Sequence, residues 1–151
     1  MAKVTLDTGV IIEFIDLKGK FHEQAAALLD SITKGQLEAI LPHPVLTETF
    51  YVAAKMYAAT GADNPLEKAA KLVTWFYHLP AATVCGEQVE LALEAGRVKH
   101  CYRLALTDCY VLAASRIYHA RPIFRKREHE MIKMMEKIEE EYKPIFLEDY
   151  T

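Results

Sequence analysis

Short apolar runs alternate along the chain with longer segments in which apolar residues recur every three or four positions. The short runs have the length of β-strands, and the longer segments have the periodicity of amphipathic helices. The clearest helical stripe consists of Phe21, Ala25, Leu28, Leu29 and Ile32. The predicted strands are residues 3–7, 37–41, 82–85, 123–124 and 145–147, of which the last would lie at a sheet edge.

The predicted helices fill the intervals between these strands. Pro44 suits a first helical position, and Asn64 to Glu67 has the pattern of a capping box with a proline inside it. The predicted helices are residues 8–16, 21–34, 44–59, 64–79, 87–100, 107–119 and 128–142. Strands separated by helices indicate an α/β fold with a parallel sheet covered on both faces. A chain of 151 residues without a linker or repeat is most simply one domain, residues 1–151.

Composition narrows the class of protein. With 52% hydrophobic residues the chain can bury a substantial core, and a net charge of -3 argues against a general polyanion binder while allowing a local basic patch. The cysteines, Cys85, Cys101 and Cys109, form no C-x-x-C pair, so buried free thiols are expected rather than a disulfide or a zinc site. No apolar stretch approaches the roughly 18 residues of a membrane span, and the amino terminus does not resemble a signal peptide. We therefore expect a cytoplasmic protein without a membrane partner.

The opening run Lys3-Val4-Thr5-Leu6-Asp7-Thr8-Gly9-Val10 ends a predicted strand in a carboxylate and passes at once into a helix. Ligands of open α/β sheets bind in the crevice outside the carboxyl ends of the strands, so Asp7 should stand at the mouth of such a crevice. Asp7 could be a functional acid or simply the N-cap of the helix that follows.

Two further acids occupy comparable places. Glu48 lies in the first turns of the helix after the second strand, and Asp108 lies in the first turn of its helix, at the head of an apolar stripe. Either could serve only to complement a helix dipole. Together with Asp7, however, they would converge at one edge of the sheet and repel one another. A divalent cation would remove that conflict, and oxygen ligands suit Mg²⁺ or Mn²⁺.

With these acids in place, the chain resembles a PIN-domain protein, and most nearly the small ribonucleases of the VapC toxin type. The resemblance runs from residue 3 to about residue 130. The matching segments, in order, are Leu6-Asp7-Thr8-Gly9-Val10, Thr47-Glu48 and Leu106-Thr107-Asp108-Cys109-Tyr110-Val111-Leu112-Ala113-Ala114.

The resemblance implies a three-layer αβα sandwich around a central, mostly parallel sheet. It implies three or four acids that hold one or two Mg²⁺ or Mn²⁺ ions and hydrolyse RNA phosphodiester bonds with a metal-activated water. It further implies an antitoxin protein as partner and a homodimer. Trp75, Phe76 and Tyr77 adjoin on one helix and cannot share a face, so some of them must be exposed or lie at an interface.

The sequence departs from the family at the fourth acid. Many relatives carry an aspartate just after the strand that corresponds to Ile123-Phe124, where this chain has Arg125. Glu128 or Glu130 could reach back to serve instead, and Glu128 is favoured because it lies nearer the strand end. Without either, Asp7, Glu48 and Asp108 would hold one metal. Thr107 could orient a metal-bound water, although an N-cap role is the simpler interpretation.

Two basic clusters could flank the acids and bind the RNA backbone. The first contains Arg97, Lys99, His100 and Arg103, and the second contains Arg121, Arg125, Lys126 and Arg127. Such charge runs are more often solvated surface.

Two other functions compete with the ribonuclease. The altered fourth acid would suit a catalytically degenerate PIN module that binds nucleic acid or protein. A phosphatase with Asp7 as covalent nucleophile is disfavoured, because the second aspartate that such enzymes carry two positions on is Gly9 here.

Overall fold

The computed structural model of the chain describes residues 1–150, and residue 151, the last of the predicted domain, lies outside that range. The strands are β1 (Lys3–Leu6), β2 (Glu38–Pro42), β3 (Ala82–Cys85), β4 (Arg121–Phe124) and β5 (Ile145–Phe146). The helices are α1 (Thr8–Ile15), α2 (His22–Thr33), α3 (His43–Ala59), α4 (Pro65–His78), α5 (Val89–Tyr102), α6 (Leu106–Ile117), α7 (His129–Ile132) and α8 (Met135–Tyr142), followed by a 3₁₀ turn over Leu147–Tyr150.

The strands form one parallel sheet in the order β3-β2-β1-β4-β5. Strand β1 lies in the middle, with Thr5 opposite Ile40 of β2 on one side and opposite Pro122 of β4 on the other. The chain builds the sheet outward from β1 to β3, returns to the other side of β1 with β4, and ends at β5. The predicted parallel sheet is confirmed, including the short strand at its edge.

Helices cover both faces of the sheet. The connections from β1 to β3 run one way across the sheet and the connection from β3 to β4 runs back, so right-handed crossovers place α1–α4 on one face and α5–α6 on the other. The Thr5 hydroxyl accordingly donates a hydrogen bond to the carbonyl of Val111 in α6, at 3.3 Å. The three-layer αβα sandwich is confirmed.

The core lies where β1 and α6 meet. Val4 and Leu6 of β1 are buried, and so is the continuous run Val111 to Ser115 of α6. Strands buried on both faces are typical of a parallel sheet between helix layers. A smaller cluster of Ala53, Ala54 and Ala69 joins α3 to α4, where small side chains let the two helices approach closely.

Three local expectations are wrong. The predicted helix over residues 128–142 is two helices, because the chain bends at Lys133 and Met134 and so buries both Met131 and Ile138. Asn64 has a left-handed backbone (φ 52°), and its side chain makes no capping hydrogen bond. All three cysteines are free thiols, but Cys101 is exposed.

The exposed aromatic residues expected on α4 are confirmed. Phe76 is buried, whereas Tyr77 and Trp75 are exposed, with Trp75 stacked on Phe14 at a centroid distance of 6.2 Å. Within residues 1–150, no helix combines the length and the apolar character that crossing a membrane requires.

Candidate active site at the carboxyl ends of the strands

The predicted acids converge where the strand order reverses. Asp7 follows β1 directly, and Arg125 directly follows β4. Strand β4 pairs with β1 at the point where the strand order reverses. The backbone N–H of Asp7 donates to the carbonyl of Ile123 at 3.0 Å, which fixes the two strand ends together. A crevice at such a switch point is the usual ligand site of an open parallel sheet.

Asp7 and Asp108 form a carboxyl pair in this crevice. Both residues keep some exposed surface, but their carboxyl groups face inward and share a hydrogen bond, which raises the pKa of Asp108 and lowers that of Asp7. Asp7 is also the N-cap of α1, where it accepts the N–H of Gly9 at 3.2 Å. The N-cap interpretation of Asp7 is confirmed, and the same carboxyl group also belongs to the acidic pair, whereas its role as a functional acid stays a prediction.

Burial controls the charge of the pair. Loss of hydration raises the pKa of Asp7 to about 6, against the opposing effect of the Gly9 N–H. Loss of hydration, and after it the negative charge of Asp7, raises the pKa of Asp108 to about 8. In the metal-free protein the pair therefore favours keeping one proton between its carboxyl groups over full ionisation, and a cation bound there would replace that proton.

Glu48 reaches the pair from the second turn of α3. Its negative charge raises the pKa of both Asp7 and Asp108, so it faces the same space. Its Oε2 accepts a hydrogen bond from the Thr107 hydroxyl at 3.1 Å. The N-cap role expected for Thr107 is wrong: α6 begins one residue earlier, at Leu106, and its N-cap, Ala105, makes no side-chain cap bond.

The two candidates for the fourth acid differ in position. Glu128 is half-exposed, its charge raises the pKa of Asp108, and its Oε1 lies 3.8 Å from a terminal nitrogen of Arg125. Glu130 is exposed on α7. The geometry therefore favours Glu128, as the sequence did, although its ligand role stays a prediction.

Arg125 lies against the acids without a hydrogen bond from its inner nitrogen. Its Nε is buried and has no partner among the described residues. Its terminal nitrogens lie 3.8 Å from Glu13 Oε1 and from Glu128 Oε1, too far for hydrogen bonds. A Cβ on Gly9 would come within 3.1 Å of both Asp7 Oδ2 and the Cβ of Arg125, so glycine permits this close packing.

The side-chain oxygen atoms of the site are the type of ligand that a hard divalent cation binds. Carboxylates supply the oxygen ligands that Mg²⁺ and Mn²⁺ prefer, and the buried hydroxyl of Thr8, the residue after Asp7, has no hydrogen-bond partner in the described part of the chain. Across residues 1–150, however, no three His, Cys, Asp or Glu side chains are arranged so that they could hold an ion as they stand.

The basic clusters divide into engaged and available residues. Arg97 is bound by Glu94 and Glu141, and Arg127 by Glu148 and Asp149 as well as by the ring of Phe146. Lys99 donates to the carbonyl of Leu104 at 2.6 Å. Arg121 lies at the start of β4, at the amino end of the strands, whereas Asp7 lies at their carboxyl end. Arg103, Arg125 and Lys126 are left as the better candidates for RNA contact.

Glu13 is a member of the site's surroundings that the sequence interpretation missed. It is buried in α1, where its Oε2 accepts the N–H of Phe21 at 3.1 Å and its Oε1 faces Arg125. The available signal was its position as a lone acid in the otherwise apolar run Val10 to Ile15. A buried carboxylate needs such partners, and here they join α1 to the end of β4.

The family model of the PIN domain matches residues 4–134, which is most of the chain and spans every predicted acid. The chain belongs to the PIN domain family. A comparison with curated protein sequences finds no match.

Solved structures share the fold at low sequence identity. VapBC2 of Rickettsia felis, bound to a DNA fragment from its promoter, has 13% identity and a TM-score of 0.62, with 95% of this chain and 96% of that chain covered. VapC20 of Mycobacterium tuberculosis, a toxin that cleaves the sarcin-ricin loop, has 16% identity and a TM-score of 0.59, with 78% and 85% covered. FitAcB of Neisseria gonorrhoeae has 16% identity and a TM-score of 0.57, with 95% of each chain covered. At these identities the likeness establishes the fold alone.

Proposed function

We propose that this PIN-domain protein is a metal-dependent endoribonuclease and the toxin of a VapBC-type toxin–antitoxin pair. The observation that carries the proposal is the inward-facing pair Asp7–Asp108, with Glu48 beside it, at the switch point of the sheet. Carboxyl groups that repel one another in a crevice are costly unless a cation or a shared proton offsets their charge. The similarity to solved VapC folds supports the choice of this chemistry over others.

The residues that would hold Mg²⁺ or Mn²⁺ are Asp7, Asp108 and Glu48, with Glu128 as the fourth acid. When bound, such an ion lowers the pKa of water and neutralises the phosphate and the departing oxygen. Thr107 holds Glu48 in place through its hydroxyl, and in this proposal it also orients the attacking water. The Gly9 N–H keeps the Asp7 carboxylate at the amino end of α1. The chain then needs no nucleophilic side chain.

The substrate in this proposal is RNA, and its backbone lies against the cations beside the acids. Arg125 and Lys126 follow β4 directly, and Arg103 precedes α6. Arg127, Arg97 and Lys99 already contact other groups, so any RNA contact they make competes with those.

The partners follow from the same proposal. An antitoxin protein would bind and silence the site, and the toxin would act in the cytoplasm as a homodimer of one-domain chains. A toxin–antitoxin complex is known for the structural neighbour from Klebsiella pneumoniae. Trp75, exposed on α4, is a candidate for a contact surface.

A catalytically degenerate module remains the second candidate. Arg125 in place of an acid favours it, and so does the absence, within residues 1–150, of a ready group of three metal-binding side chains. Such a protein would bind nucleic acid or a partner chain without cutting RNA.

Calorimetric titration of Mn²⁺ into the wild type and into Asp7→Asn separates the two candidates. The nuclease should bind Mn²⁺, lose that binding in Asp7→Asn, and cut a broad RNA pool only with the metal present. A wild type that binds no Mn²⁺, with or without RNA, would overturn the nuclease and favour the degenerate module.

A further inference from the structure

A groove of about 970 Å³ continues from the acidic site along the carboxyl ends of β2 and β3. It is bounded by α3, α4, α6 and the loop that follows β3. Glu48 and Thr107 belong both to its wall and to the acidic site. We call it the tyrosine groove, after Tyr51, Tyr77 and Tyr110, which line it.

Helical spacing makes the groove an extension of the acidic site. Tyr51 follows Glu48 by three positions on α3, and Tyr110 follows Thr107 by three positions on α6. Residues three apart share a helix face and are separated by nearly one turn. Each helix therefore presents a polar group to the acids and a tyrosine to the groove.

Two of these rings are open to solvent. Tyr51 is 56% exposed and Tyr77 is 54% exposed. Burying a large aromatic side chain against a ligand or another chain is favourable, so these exposed rings are suited to a binding partner. Exposed aromatic faces beside a nucleic-acid site are the usual platforms on which unpaired bases stack.

The charge of the groove argues for bases rather than phosphates. No lysine or arginine is among the described residues that line it, whereas Glu48 and Glu87 are negatively charged. Among the other lining side chains, Thr47 and His43 can donate to or accept from base edges. The Gln88 amide nitrogen already donates to the Tyr118 hydroxyl, and its oxygen can accept from a base. The cations Arg125 and Lys126 lie beyond the acids, after β4. The site is therefore polarised, with base-binding chemistry on one side and phosphate-binding chemistry on the other.

The wall of the groove is tightly packed where the loop after β3 meets α3. A Cβ on Gly86 would come within 2.9 Å of the Cβ of His43, closer than two such atoms can lie. Glycine at position 86 therefore permits the close approach of this loop to the start of α3.

We propose that the tyrosine groove binds unpaired nucleobases of the RNA strand next to the bond that is cut, stacked on Tyr51 and Tyr77. This inference rests on the proposed nuclease function, because it takes RNA as the ligand. A duplex keeps its bases stacked on one another and cannot offer their faces to the groove. The groove therefore selects single-stranded segments and loops.

The test measures binding of a fluorescein-labelled single-stranded RNA nonamer of mixed sequence to Asp108→Asn protein, so that the probe is not cut. The same nonamer without bases, and the same sequence as a duplex, are the reference probes. We expect the mixed nonamer to bind more tightly than both. Tyr51→Ala and Tyr77→Ala should each weaken its binding by about 5- to 150-fold and leave the binding of the abasic probe unchanged.

Matched variants keep the test decisive. Tyr51→Phe and Tyr77→Phe retain the ring and should bind the nonamer as Asp108→Asn alone does, which separates stacking from folding. Tyr150→Ala removes a tyrosine that is 65% exposed but lies beside Lys3 and Arg121, away from the groove, and should change nothing. Thermal unfolding of each variant shows that the fold is intact.

Several outcomes would overturn the proposal. Equal binding of the mixed and abasic probes, no binding of either, or unchanged binding in both alanine variants would each reject a base site. A change in sedimentation without a change in RNA binding would assign the groove to a protein contact instead. Because the assay measures binding alone, the base site can fail while Mn²⁺-dependent cleavage succeeds, and it can succeed in a protein that does not cut RNA.

Discussion

The Thr107 hydroxyl donates a hydrogen bond to Glu48 Oε2 at 3.1 Å and so ties the first turn of α6 to the second turn of α3. Without this bond Glu48 would be free to turn away from the acids that it should join in holding a metal. Groups that orient metal ligands contribute to affinity even though they do not touch the ion.

Thr107→Val should therefore weaken Mn²⁺ binding by about tenfold or more, with a fall of about 1 kcal/mol in the free energy of unfolding. The side chain keeps its shape and loses only the hydroxyl. Thr107→Ser retains the donor and should behave as the wild type. Calorimetry gives the affinity and urea unfolding gives the stability. Equal Mn²⁺ affinities in the wild type and Thr107→Val would show that the bond has no positioning role.

Asp108→Asn should abolish Mn²⁺-dependent cleavage and yet stabilise the metal-free protein. The Asn amide can donate a hydrogen bond to Asp7 as the protonated carboxyl does. Unlike the carboxyl group, it never becomes a charge that loses its hydration on burial. The expected gain in the free energy of unfolding at neutral pH is roughly 1–3 kcal/mol, measured with urea in the presence of a chelator. The control is Asp30→Asn, which breaks only an exposed pair with Lys34 and should shift stability by less than about 0.5 kcal/mol. A destabilised Asp108→Asn would contradict the raised pKa.

The metal-free protein should lose stability as the pH rises from about 4 to 8. Both carboxyl groups have an ordinary pKa of 3.8 when unfolded, and burial raises the pKa of Asp7 to about 6 and that of Asp108 to about 8 when folded. Below the unfolded value both states are protonated and the folded state bears no penalty. As the pH rises through the folded values, the unfolded state has already released its protons, so folding becomes less favourable.

Urea unfolding in a chelator between pH 5 and pH 9 measures this slope. The double variant Asp7→Asn, Asp108→Asn should flatten it, since neither amide titrates. Saturating Mn²⁺ should flatten it as well, because the cation takes the place of the shared proton. A wild-type slope that the double variant retains would assign the dependence to other groups.

Local pattern was enough to place the acids in the fold. Asp7 ends an apolar strand and Asp108 opens an apolar helix, and parallel topology then brings strand ends and helix starts to one edge. Nothing more than periodicity and the direction of the strands was needed.

The contacts of those residues could not be predicted in the same way. The bond from Thr107 to Glu48 joins positions 59 apart in sequence, and a threonine at a helix start is equally typical of an N-cap. Arg97 and Arg127 looked available for RNA until the structure showed their carboxylate partners, Glu141 and Asp149 among them. Pairing across the fold depends on packing, which no short pattern records.

The identity of the fourth acid can be decided by comparing Glu128→Gln with Glu130→Gln. Glu128 already influences the pKa of Asp108 and lies 3.8 Å from Arg125, whereas Glu130 is exposed on α7. Glu128→Gln should weaken Mn²⁺ binding by about tenfold, and Glu130→Gln, as its matched control, should leave the affinity unchanged. The reverse order would move the ligand to α7. If neither substitution alters the affinity, Asp7, Glu48 and Asp108 hold the metal without a fourth acid. No acid near the end of β4 then binds the metal, and Arg125 faces the phosphate there.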